Sequence, residues 1–216
     1  MINIPIGIQC TNATFINNIS KTYTYPFDWM FSTPKFVYEI LILLLEKNMD
    51  INELVTQHFF LCDKRASYNS LEKYYTLVNG NSLYNTKYNV IFPHDTYDNN
   101  TIEKYIRRFE RLKNSILNSL EDICFIYTSQ SSLDIGNFTI DDKIVISNVY
   151  YHISNIYNLI KKYRNNFKII LFDSIQNEDK KDLNENIILY KLNKCNSWND
   201  LLPQMQNYVN DFKQLL

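Results

Sequence analysis

Between Ile123 and Leu192 the chain alternates short apolar runs with helical periodicity, and this alternation restricts the fold more than any other feature. The runs are ICFIY (Ile123–Tyr127), KIILF (Lys168–Phe172) and IILYKL (Ile187–Leu192), each of strand length. Between the first two, Val149, Ile153, Ile156, Tyr157 and Ile160 line one face of a helix expected over Val149–Tyr163. Strands separated by helices pair in parallel through crossovers. The expected fold is therefore α/β, a mostly parallel sheet flanked by helices in three layers, within a single domain over residues 1–216. A chain of 216 residues with 17 Tyr and 13 Phe is long and apolar enough to bury a real core.

Upstream, Ile102, Tyr105, Ile106, Phe109, Leu112 and Ile116 form one helical stripe over 102–120, with Lys104, Arg108 and Arg111 expected largely opposite it and Thr101 as the cap. Tyr88–Phe92 reads as a buried strand, and Asn79-Gly80 as a hairpin turn between 76–78 and 82–84. Ser32-Thr33-Pro34 marks the start of a buried helix over 35–47, and a short helix is expected over 50–60. The last helical stretch, 197–216, is expected to break at Pro203.

Charge and glycine usage narrow the function. With 22 basic and 23 acidic residues the net charge is −1, so neither a nucleic-acid nor a membrane partner is expected. Only 3 glycines are present, and no G-x-G-x-x-G or P-loop occurs, which weighs against a nucleotide or sugar-phosphate binder. The cysteines at 10, 62, 124 and 195 form no C-x-x-C pair. No disulfide framework, metal or other cofactor is expected, and a reducing, cytoplasmic setting fits. Lys21 is the first basic residue, so no secretory leader is expected. The run Ile40–Leu45 is far shorter than the roughly 20 residues of a membrane span.

The chemistry concentrates near the start. Ile4, Ile6 and Ile8 fit a short strand, Cys10 follows it, and Thr11–Ile19 reads as a helix. A thiol at a helix N-terminus meets unpaired N–H groups and about half a positive charge, which can depress its pKa towards the reactive range. Tyr25-Pro26-Phe27-Asp28-Trp29 then places one acid among three aromatics.

A cysteine nucleophile needs a base within reach. Of the three histidines, His58 sits in an apolar segment and His152 near the edge of a helix stripe, whereas His94 follows a strand and opens a loop. His94 with Asp95 can equally be a satisfied turn. Cys10, His94, Thr128-Ser129 and Asp173 each follow an expected strand, so parallel strands would bring them to one rim, where α/β sheets bind ligands.

Gly7 and Cys10, then YPFDW, then Phe92, His94 and Asp95, then a helix bearing Arg107-Arg108, resemble a family of proposed papain-like cysteine peptidases found in bacteria and large DNA viruses. The resemblance covers residues 4–120. It implies Cys10 as nucleophile and His94 as general base, and a papain-like α+β arrangement as the alternative fold. For the third member Asp28 ranks first, because its aromatic neighbours would desolvate it. Asp95 ranks second, and Asp173 third from the rim alone. Asp28 can equally cap the turn after Pro26. Gln9 is adjacent to Cys10 rather than several residues upstream, so the amides of Cys10 and Thr11, with Asn12, are the alternative oxyanion donors.

The expected function is a cysteine hydrolase acting on a peptide, isopeptide or other acyl substrate through a thioester. The competing reading is a non-catalytic α/β binding module in which Cys10 is a small buried hydrophobe and YPFDW a structural wedge.

Overall fold

The computed structural model describes residues 1–7, 10–20, 23–60, 83–85, 90–92, 94–129, 149–174, 184, 186–194 and 198–215. In chain order the strands are β1 (Ile2–Pro5), β2 (Leu83–Asn85), β3 (Val90–Phe92), β4 (Ile123–Ser129), β5 (Phe167–Asp173) and β6 (Ile187–Lys191). The helices are α1 (Thr11–Ile19), α2 (Pro34–Leu41), α3 (Ile51–Glu53), α4 (Asn99–Asn118), α5 (Val149–Lys161), α6 (Trp198–Gln206) and α7 (Val209–Leu215).

Strands β1, β4, β5 and β6 form a parallel sheet in that spatial order, as the strand–helix alternation predicts. Register and side-chain alternation explain why it carries helices on both faces. Ile4, Phe125, Ile169 and Ile187 make one transverse row, and all four enter the larger core, shared with α2, α4 and α5. The next row turns Ile126 and Ile170 to the opposite face, where Phe15 and Ile16 of α1 meet Leu201, Met205 and Phe212. Burying each such side chain contributes about 1.5–3 kcal/mol, so either face would be costly to leave in water. The molecule is a three-layer α/β fold, and the α+β alternative is not what the described residues adopt.

Local chemistry fixes the helix starts. Thr33 accepts the Phe36 amide at 3.2 Å with Pro34 in the first turn, as expected. Asp98, not Thr101, caps α4, accepting the Thr101 amide at 2.8 Å. A carboxylate outcompetes a hydroxyl there, so the helix begins earlier than its apolar stripe. Beyond α2 and α3 the chain continues through wider i→i+5 turns, Ile42–Glu46 and Leu54–Phe59.

Two further expectations need correction. Helix α6 runs through Pro203 and ends at Gln206, because Leu201 and Met205, on either side of the proline, are fully buried against the sheet. One lost backbone bond does not outweigh that burial. Strand β3 does not join the parallel sheet but pairs antiparallel with β2, Leu83 opposite Phe92 and Asn85 opposite Val90. The expected Asn79-Gly80 turn lies outside the described residues, as do Ile8, Gln9 and Cys62. No described helix is long and apolar enough to cross a membrane.

Candidate active site

The path from β1 to Cys10 depends on one glycine. Gly7 has φ +126°, and a Cβ there would lie 2.7 Å from Ser32 Oγ and 2.9 Å from Tyr127 Cε2. Only a residue without a side chain lets the chain turn this close to β4. Its carbonyl accepts the Thr128 amide at 3.4 Å, tying the turn to the carboxyl end of β4. Cys10 then opens α1, its carbonyl accepting both the amide (2.9 Å) and the hydroxyl (3.1 Å) of Thr14. Its sulfur makes no cap and is left for another partner.

That partner is His94. Cys10 Sγ lies 3.6 Å from His94 Nε2, a contact between residues 84 positions apart. The imidazole arrives from the β2–β3 pair rather than from the parallel sheet, so the two side chains meet although the strand before His94 is not part of the rim. The other histidines are elsewhere. The carbonyl of His58 accepts Asn85 Nδ2 at 2.9 Å, and His152, on α5, feels the charges of Lys35 and Glu39 on α2.

Each candidate acid has its own bonds. Asp28 is buried, and its Oδ2 accepts the Tyr25 amide at 3.0 Å while its own amide donates to the Tyr25 carbonyl at 3.4 Å. This is the turn-capping role, and it fixes the segment that carries Trp29. Tyr25 in turn bonds Ser115 of α4 at 3.1 Å, and Phe27 meets Phe36, Phe59 and Phe109 edge to face. Trp29 stands against the imidazole, ring centroids 6.2 Å apart at 87°. Asp95 is also buried, held by Lys104 Nζ and, at 2.7 Å, by the Tyr105 hydroxyl. Neither Asp28 nor Asp95 hydrogen-bonds His94 among the described residues. Asp173 does end β5 at the rim, where it accepts bonds from Ser129 (2.7 Å) and from the Tyr150 hydroxyl.

Asn12 is not free to donate to an oxyanion. It is buried, gives Nδ2 to the Ile126 carbonyl at 3.4 Å and accepts the Thr128 hydroxyl, locking α1 to the end of β4. The backbone amides at the start of α1 remain.

Electrostatics reverse one expectation. The Cys10 thiol is pushed up to about 11 by burial, which outweighs the lowering by its own backbone amide, and the negative charge of Asp28 adds a smaller push upward. Desolvation of a thiolate here outweighs the helix terminus. Burial also holds His94 below the usual imidazole value, with Asp95 opposing and Lys104 assisting that shift. At neutral pH the resting pair is a neutral thiol beside a neutral imidazole. Asp28 itself is raised to about 7, by burial first, with the Tyr25 amide, Arg108 and Arg111 opposing.

Three residues around this site escape a reading of spacing. Tyr105 counts as an apolar stripe residue, and nothing in its position announces a hydroxyl bonded to Asp95. Lys104 reaches Asp95 rather than turning away from the site. Arg108 is buried, contrary to expectation, with its guanidinium 4.9 Å above the Tyr105 ring. It lies three residues after Tyr105 and four before Leu112, which places it on the same face.

The model of the family described as "Putative papain-like cysteine peptidase (DUF1796)" matches residues 2–141, the span that holds Gly7, Cys10, YPFDW, His94, Asp95 and α4. No curated protein and no solved structure matches the chain. With most of its length covered, this α/β chain belongs to the putative papain-like cysteine peptidase family.

Proposed function

We propose that the protein is a cysteine hydrolase in which Cys10 is the nucleophile and His94 the general base, acting on a peptide, isopeptide or other acyl substrate. The contact of Cys10 Sγ with His94 Nε2 at 3.6 Å carries this reading. The imidazole takes the thiol proton as sulfur attacks the acyl carbon. The oxyanion that forms meets the backbone amides of Cys10 and Thr11 at the start of α1. The imidazolium then protonates the leaving group, and a thioester remains on Cys10. Water, deprotonated by His94, cleaves that thioester, and the proton returns to the sulfur. Asp28 contributes by holding the turn before Trp29, and Asp95 is a fixed negative charge next to His94 in the chain. A thiol held up to about 11 acts through this shared-proton route rather than as a standing thiolate.

A panel of electrophilic acyl and ubiquitin-like probes, with Cys10→Ala as control, tests the proposal. Covalent labelling at Cys10, absent in the variant, is expected. Labelling that is absent throughout, or unchanged in Cys10→Ala, favours the binding-module reading.

A further inference from the structure

Tyr105 is wholly buried, its ring held between Phe59, Phe60 and Phe92 at centroid distances of 5.1, 4.9 and 6.2 Å. Its hydroxyl therefore has little freedom, and it donates to Asp95 Oδ2 at 2.7 Å. Lys104 holds the other oxygen, but from a flexible stem that is 34 % exposed. Asp95 follows His94 directly, and its amide closes a turn onto the Phe92 carbonyl at 3.4 Å. We propose that Tyr105 is a positioning residue for the dyad, fixing the Asp95 carboxylate so that it faces the imidazolium formed when His94 takes the proton of Cys10. The inference rests on the hydrolase reading.

A counter-charge already in place needs no reorganisation as charge develops. Burial, the largest cause, and Lys104 disfavour protonated His94, and Asp95 opposes them, so a displaced carboxylate would tip the imidazole further from protonation. Tyr105 stays a neutral donor throughout, because burial and the neighbouring Asp95 charge hold its phenol well above 10.

The test is the rate of Cys10 alkylation by iodoacetamide at pH 7.5, followed by peptide mapping of the full chain. Tyr105→Phe keeps the ring and removes one hydroxyl. It is expected to lower the rate about tenfold, a fraction of the 10²–10⁴ that a positioned base supplies. In an Asp95→Asn background the same substitution is expected to cost nothing further. An unchanged rate in folded Tyr105→Phe, or the same loss in both backgrounds, overturns the inference. Should Tyr105→Phe not fold, the NMR titration of His94 in Asp95→Asn decides, with a lower imidazole pKa expected and an unchanged one contradicting it. If His94→Ala leaves Cys10 alkylation untouched, the dyad reading itself fails. If His94 matters and Tyr105→Phe behaves as wild type, only the positioning role fails.

Discussion

Cys10 and His94 meet at 3.6 Å although one opens the first helix and the other follows the separate β2–β3 pair. Each is held through its backbone, Cys10 by the Gly7 turn and Thr14, His94 by the Asp95 turn onto Phe92. Their geometry therefore depends on residues that never touch the sulfur or the imidazole.

Gly7 is the first of these. Alanine at this position brings a positive φ and a Cβ 2.7 Å from Ser32 Oγ and 2.9 Å from Tyr127. Gly7→Ala is expected to lose about 2–5 kcal/mol of stability. Urea denaturation measures it, and a midpoint equal to wild type would remove the steric argument.

Asp28 gives a pH signature. Its folded pKa, about 7, lies above the unfolded value near 3.8. The stability it contributes is thus full below about pH 4 and is lost as pH rises through 7. Wild type is expected to weaken from pH 4 to 8 by a few kcal/mol at most, at about 1.4 kcal/mol per pKa unit. Asp28→Asn keeps an oxygen for the Tyr25 amide, and its denaturation midpoint should vary less over the same window. The variant should also lower the Cys10 pKa, since the carboxylate charge is one of the groups raising it.

Trp29 shields the imidazole. Trp29→Ala should move the His94 pKa up towards 6.5, because desolvation is the largest cause of its depression. Trp29→Phe should leave it near the wild-type value. An imidazole titration by NMR distinguishes the three proteins, and identical values would separate Trp29 from His94.

Much of this was legible in the chain. ICFIY and KIILF are strands because both faces of the sheet are covered, and α1 occupies Thr11–Ile19 as its spacing indicates. Cys10 and His94 stand out because each follows a strand without being needed by it. Other features depend on tertiary placement. That β3 pairs with β2 follows from contacts no local pattern encodes. The direction of the Cys10 shift is set by burial, whereas sequence shows only the helix terminus. Asp95 looks like a neighbour of the base, and only the folded chain shows Tyr105 and Lys104 bonded to it.

The most direct test of the dyad is the pH dependence of Cys10 alkylation by iodoacetamide in wild type and His94→Ala. Between an imidazole titrating below 6.5 and a thiol titrating near 11, the pair holds one shared proton, so its reactive thiolate–imidazolium form is a constant fraction. That form adds a pH-independent rate, so the account predicts that wild type reacts faster than His94→Ala near pH 7 and climbs less steeply towards pH 9. His94→Ala should instead rise about tenfold per pH unit across that range, as a lone thiol does below its pKa. Superimposable profiles for the two proteins would contradict the account.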